Sequence, residues 1–205
     1  MSSLKYWVSL VVLFAAIYGS FIAWRKYQQP LATAALDGSP VVRRAPVYPS
    51  EPLPPFTLTD QDGKSFDSNS LEGKVWVGSF FFVSCPAICW RMNQALADLQ
   101  LSAPGDQVRY ISITSDPDTD TPEVLTRYAE KLQADPARWT FLTGSSQAIE
   151  AVGLSMLVAA KKEAHSSKAI VLDARGRMRG HFNLTEPDEV KKMAGLLTEL
   201  GKSGE

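Results

Sequence analysis

The chain has 205 residues, 45% of them hydrophobic and 21% charged, with a formal net charge of −1. That length allows one domain with appendages, and that apolar content allows the domain to bury a core. Residues 1–50 carry five Lys/Arg and one acid, which leaves 16 basic and 21 acidic residues in 51–205, a mildly acidic balance that excludes a basic nucleic-acid surface.

Residues 7–24 contain no charge and are mostly Val, Leu, Ile, Ala and Phe. As a helix this run spans roughly 27 Å, enough for a bilayer core, and Trp7 and Trp24 suit the two interfacial belts. A cleaved signal peptide, processed near Ala32-Thr33-Ala34, is the competing reading. The apolar run is long for a signal peptide and Arg25-Lys26 follow it directly, so residues 1–27 read as a single transmembrane anchor. The lack of an Arg-rich amphipathic presequence points to a bacterial chain. Residues 28–55 hold seven prolines and no periodic apolar pattern, so 28–54 reads as a tether and 55–205 as the folded domain.

Within the domain, 56–66 reads as a hairpin around Asp62-Gly63. An apolar, aromatic-rich run over 75–83 predicts a buried strand, and 90–101 predicts an amphipathic helix with Met92, Leu96 and Leu99 inward. The β-branched and aromatic residues of 107–114 predict a second strand. Asp120 with Glu123 forms a capping-box-like start, with Pro122 in the first turn, for a helix to about 134 that turns Val124, Tyr128 and Leu132 inward. A strand over 139–143, a short helix over 145–154, a hairpin of 168–173 and 177–182 around Ala174-Arg175-Gly176, and a helix over 186–200 complete the chain. From the central strand onward the order β–α–β–α–β–α–β–β–α predicts an α/β sandwich with a mixed sheet.

The functional centre falls between that central strand and its helix. The only two cysteines, Cys85 and Cys89, follow the strand immediately, separated by Pro86, Ala87 and Ile88. A thiol in the first turn of a helix meets unpaired backbone N–H groups and the positive end of the dipole, and both favour thiolate. Pro86 suits such a first-turn position. The spacing of four puts both sulfurs on one helix face, roughly 6 Å apart at the backbone. Such a pair can close a disulfide or pinch one soft metal ion. An inert, merely packed pair is the bland alternative. A zinc knuckle is excluded, because the chain has no second cysteine pair to complete four ligands. Of the two histidines, His165 lies in a polar stretch and His181 at the far end of the last hairpin; both read by default as solvated side chains.

The chain resembles the Sco/SenC family of membrane-anchored copper chaperones with a thioredoxin-like fold. The resemblance rests on the stretch FFVSCPAIC, on Asp116-Pro117 followed by Asp120-Thr121-Pro122, and on His165-Ser166 eleven and ten residues before Gly176. It covers most of 55–200 and the anchor-and-tether layout. It implies a thioredoxin-like sandwich, copper, as Cu(I) or Cu(II), held by Cys85, Cys89 and His165, and assembly of the CuA centre of cytochrome c oxidase subunit II as the task. Asp116 and Asp120 read as shaping residues, because turn and capping chemistry accounts for them. Trp90 stands where the family usually has proline, and Val83 where threonine is common, so the rim beside Cys89 departs from the pattern.

Other functions use the same residues. Cys85 and Cys89 could serve a thiol–disulfide oxidoreductase, although dedicated reductases space their cysteines as CxxC. A thiol peroxidase and a redox or copper sensor are further readings. The charges flanking the apolar run, Arg25, Lys26, Arg43 and Arg44 against Lys5, favour a cytoplasmic domain. The resemblance implies the exoplasmic, periplasmic side instead, and the expectation follows it. There the cysteines would need a thiol reductant, and the metal a copper donor.

Overall fold

The computed structural model describes residues 2–27, 48–102, 108–160 and 166–202, and within its first helix the side chains of Trp7 and 14–25. The chain divides into two units, Met1–Pro46 and Val47–Glu205. In the first unit a single helix, α1, runs Ser2–Tyr27. The expected membrane span, 7–24, lies partly outside the described side chains. Among the described residues no helix is long and apolar enough to cross a membrane.

The second unit is built on a seven-stranded mixed sheet. Its strands are β1 (Thr57–Asp60), β2 (Ser65–Asp67), β3 (Val75–Phe81), β4 (Val108–Thr114), β5 (Trp139–Thr143), β6 (Lys168–Leu172) and β7 (Met178–Asn183). They lie in the order β2-β1-β5-β4-β3-β6-β7. β3 pairs parallel with β4 and antiparallel with β6, and β4 pairs parallel with β5. Helices α2 (Ile88–Ser102), α3 (Pro122–Lys131), α4 (Ser146–Ser155) and α5 (Pro187–Lys202) make the crossovers and close the chain. This is the mixed α/β sandwich that the alternation of strand and helix patterns predicts.

Every residue of β3 is buried, which a strand achieves only with neighbours on both edges and layers on both faces. The pleat then sorts its side chains between two cores. Val75, Val77 and Phe81 pack with Met92, Leu96 and Leu99 of α2, Leu125 and Tyr128 of α3, and Met193 and Leu197 of α5. Trp76 and Phe80 face the other way, onto Ile149 and Val152 of α4 and the segment carrying Tyr48, Leu53 and Phe56. Leu53, within the expected tether, also donates its N–H to the Gly176 carbonyl at 2.8 Å.

Two local expectations change. Helix α3 begins at Pro122 with Thr121 as its N-cap, and Asp120 is not part of a capping box. It ends at Lys131, and Gln133 follows in the left-handed region at φ 54°. Leu125 takes the buried position expected of Val124, which is only partly buried, while Tyr128 and Leu132 are buried as expected.

One buried polar group ties three strands together. The Ser79 and Ser112 hydroxyls lie 3.0 Å apart, and the Trp139 indole N–H donates to the Ser112 Oγ at 2.9 Å. None of these residues is more than 1% exposed. Ser112→Ala should therefore leave the indole N–H without a partner in a dry interior and lower unfolding free energy by about 1–3 kcal/mol. Urea denaturation checks this, and an unchanged midpoint would contradict it.

Candidate functional site

Strand β3 ends at Phe81, and a turn over 82–85 carries the chain to Cys85. The Cys85 N–H closes that turn on the Phe82 carbonyl at 3.3 Å. Helix α2 begins three residues later at Ile88, and the Arg91 N–H donates to the Ala87 carbonyl at 3.3 Å, which makes Ala87 the N-cap. The two cysteines therefore do not share one helix face. Cys89 sits in the first turn of α2, while Cys85 lies ahead of the helix with Pro86, outside its first turn. The reason is that the turn after β3 needs residues 82–87 to reverse the chain before helical hydrogen bonding can begin.

This arrangement brings the sulfurs together all the same. The Cys89 N–H donates to the Cys85 sulfur at 3.4 Å, so that sulfur does the work of an N-cap side chain. Neither thiol is in a disulfide and both are buried, Cys85 at 9% exposure and Cys89 at 3%. Burial by itself pushes the Cys85 thiol up, but hydrogen bonds from the Cys89 thiol and from the amides of Cys89, Ala87 and Ile88 outweigh it and bring it below the ordinary value. Cys89 moves the other way, to about 12, through burial first, then its hydrogen bond to Cys85, with the charges of Cys85 and Asp120 adding to the rise. Cys85 is thus the more acidic of the two thiols, and the Cys89 S–H donates to its sulfur.

An aromatic wall stands beside the pair. Tyr128 stacks on Phe81 at 5.2 Å, and Trp90 meets Tyr128 edge-on at 5.9 Å. Trp90 remains 39% exposed, a large apolar surface next to Cys89 at the rim of the site. The Asn93 amide, one turn along α2, donates to the Tyr128 hydroxyl at 3.0 Å.

Sequence reasoning undervalued Asp120. Its side chain is fully buried, and one carboxylate oxygen accepts both the Thr114 hydroxyl and the Val83 N–H, the latter at 3.0 Å across 37 residues. Turn or capping chemistry does not account for it. Asp116 does act as the shaping residue expected of it, since its carbonyl accepts the N–H groups of Thr119 and Asp120 at 3.1 and 2.9 Å.

The histidines separate. His165 lies outside the described residues. Of the described residues that follow, Ala169 of β6 pairs with Ser79 of β3 in antiparallel register, and the Leu184 N–H donates to the Ser167 carbonyl at 2.8 Å. The chain therefore enters β6 at the end of the sheet where β3 delivers Cys85. His181, expected as a solvated side chain, is half-buried instead. Its Nε2 donates to the Met156 carbonyl at 3.0 Å, its backbone N–H donates to the Tyr48 hydroxyl at 3.0 Å, and its ring meets the Tyr48 ring edge-on at 5.2 Å. Burial lowers its pKa, against the opposing pull of the Met156 bond. A residue of β7 gains these partners only when the 48–55 segment and the end of α4 fold over that edge. Among the described residues no three His, Cys, Asp or Glu side chains converge to hold a metal ion.

Two adjacent sulfurs, one more acidic than the other, can attack a disulfide, close one, or hold a soft cation once their protons leave. Cys85 should be alkylated by iodoacetamide before Cys89, at a pH below that of an ordinary thiol. Cys89→Ala should shift the Cys85 reaction to higher pH, because the sulfur loses its S–H donor. Mass-mapped labelling across pH 5–10 checks the order, and equal rates at the two cysteines would contradict it.

A sequence profile of the family described as SCO1/SenC matches residues 47–200. A relative described as the SCO1 protein homolog of Bacillus subtilis (strain 168) is 38% identical over 137 residues, covering 65% of this chain and 68% of its own. A structure of BsSco, described as a member of the Sco family of cytochrome c oxidase assembly proteins with a disulfide switch, superposes with a TM-score of 0.68 at 30% identity, over 78% of this chain and 97% of that one. Bradyrhizobium japonicum ScoI with copper bound superposes with a TM-score of 0.60 at 27% identity, over 73% and 99%.

Proposed function

We propose a copper-delivery role for this chain, which belongs to the SCO1/SenC family: it carries copper to the CuA centre of cytochrome c oxidase subunit II. The observation that carries the reading is the Cys85 sulfur held 3.4 Å from the Cys89 amide at the open start of α2. Two sulfurs and one imidazole form a soft, low-coordinate donor set that suits Cu(I). The BsSco and copper-bound ScoI relatives support copper and oxidase assembly as the setting. For His165 as third ligand the support is the resemblance and the entry of β6 at the cysteine end of the sheet.

The chemistry follows from the asymmetry of the thiols. Cys85 meets the ion as thiolate, and Cys89 releases its proton as the second sulfur coordinates. Delivery is ligand exchange: donor groups of the recipient displace Cys85, Cys89 and His165 in turn, the copper remains Cu(I), and no electron moves. A Cys85–Cys89 disulfide cannot hold the ion. It must first take two electrons and two protons from a dithiol reductant.

A second reading draws on the same asymmetry. One lowered and one raised thiol are the attacking and resolving partners of a thiol–disulfide reductase, which would act on the oxidase cysteines without stored metal. His165→Ala separates the two readings. For a carrier it should weaken Cu(I) binding about tenfold or more and abolish transfer to a pre-reduced apo CuA domain, while thiol exchange persists. His181→Ala should leave copper binding unchanged. Normal oxidase assembly by His165→Ala, with failure of the Cys85→Ser and Cys89→Ser variants, would make the chain a reductase.

We further propose that α1 anchors the domain to the cytoplasmic membrane with the domain on the exoplasmic side. Support comes from the uncharged run at 7–24 and from a 26-residue helix, which is roughly 39 Å long at 1.5 Å per residue. The full chain should stay in the membrane pellet after carbonate washing, and protease added to intact spheroplasts should digest the domain. Digestion only after lysis would reverse the topology.

A further inference from the structure

The fully buried carboxylate of Asp120 is the group whose placement the fold does not otherwise explain. Its helix does not use it, because Thr121 is the N-cap of α3. Burying a carboxylate is unfavourable unless hydrogen bonds compensate it. Here the compensation comes from the turn that carries the cysteines: one oxygen accepts the Val83 N–H at 3.0 Å and the Thr114 hydroxyl. Thr114 is held in turn, its Oγ1 accepting the Asp116 N–H at 3.0 Å. Ser115 adds a parallel staple, donating both its N–H at 2.7 Å and its hydroxyl at 3.2 Å to the Phe81 carbonyl. The loop after β4 is therefore fastened to the exit of β3 at Phe81 and again at Val83.

Val83 stands two residues before Cys85, inside the turn that the Phe82 carbonyl and the Cys85 N–H close at 3.3 Å. Hydrogen bonds weaken steeply with distance and misalignment, and the contact of the Cys85 sulfur with the Cys89 amide is already 3.4 Å. If the Val83 N–H lost its acceptor, it would turn toward water and carry the chain ahead of Cys85 with it.

We propose that Asp120 is a positioning residue for the copper-carrying turn: its carboxylate holds Val83 so that the Cys85 sulfur meets the amides at the start of α2. The inference deepens the copper-delivery reading and rests on it for one of its two readouts. The other readout, the thiol–disulfide equilibrium of Cys85 and Cys89, stands whether or not copper is the cargo.

Three variants of the full chain, in detergent, test this. Asp120→Ala removes the acceptor. Asp120→Asn keeps an acceptor oxygen for Val83 and Thr114, removes the charge and replaces the other oxygen by an amide NH2. Thr114→Val removes one of the two donors. Each is checked for folding by circular dichroism and then scored by Cu(I) competition with a chromophoric chelator and by equilibration with glutathione, in which the protein disulfide and two glutathione thiols give the protein dithiol and one glutathione disulfide. Asp120→Ala should lose about tenfold or more in Cu(I) affinity, as expected for a hydrogen bond to a charged group, and should shift the glutathione equilibrium toward the protein disulfide, because a misplaced Cys85 no longer stabilises the reduced form. Asp120→Asn should stay within about threefold of the original chain on both scales, and Thr114→Val should shift in the direction of Asp120→Ala by less. Asp120→Asn as impaired as Asp120→Ala would overturn the proposal, and so would a shift of both toward the dithiol, since a pure charge effect predicts that sign. If Asp120→Ala does not fold, original behaviour in Thr114→Val overturns it equally. A chain that binds no Cu(I) before any substitution refutes the copper reading alone, and the glutathione series still decides the role of Asp120.

Discussion

The double pairing of β3 is the constraint on which the rest of this domain depends. A strand hydrogen-bonded to β4 on one edge and β6 on the other, and buried at all seven residues, has no freedom of register. Because β3 and β4 run parallel, their ends deliver two loops to the same edge of the sheet, one with the cysteines and one with the Asp-Pro stretch. The antiparallel β6 starts at that edge, so a third segment arrives there from the opposite direction. The Ser79–Ser112–Trp139 group keeps β3, β4 and β5 in this register from inside.

Given that frame, the chemistry of the cysteines is a matter of where α2 begins. A helix start offers amides without intrahelical partners, and here a sulfur, not a hydroxyl or a carboxylate, accepts one of them. That contact adds to the hydrogen bond from the Cys89 thiol in lowering the Cys85 pKa, while burial first and then the hydrogen bond to Cys85 raise that of Cys89. Capping thus contributes to reactivity. A metal or a disulfide must compete with it, which suits a site that is loaded and emptied and does not hold its cargo permanently.

Several side chains acquired roles that their local sequence did not suggest. His181 looked like a surface histidine because it lies beside Gly180 at the far end of the last hairpin. It is half-buried because Tyr48 and the end of α4 close over it. Asp120 looked like a cap because Glu123 follows at capping-box spacing, yet the cap is Thr121, whose hydroxyl donates to Glu123 at 2.7 Å. Leu125 took the buried place expected of Val124, beside Tyr128 and Leu132, which are buried as expected. In each case the local pattern was compatible with two structures, and a partner distant in the chain selected one.

The elements themselves were legible from the residues alone. The apolar run of β3, the inward Met92, Leu96 and Leu99 of α2, Pro122 in the first turn of α3 and the turn at Gly176 all follow from periodicity or backbone preference, which act over a few neighbouring residues. So did the closeness of Cys85 and Cys89, because four residues around a helix start cannot separate them far. Tertiary structure decided what those elements do to one another: that the Cys85 sulfur, ahead of the helix, accepts the Cys89 amide, that the two thiols differ in acidity, and that Asp120 reaches back to Val83. A hydrogen bond spanning 37 residues leaves no periodic trace in a sequence, because its energy depends on the register of strands that pair only after the chain has folded.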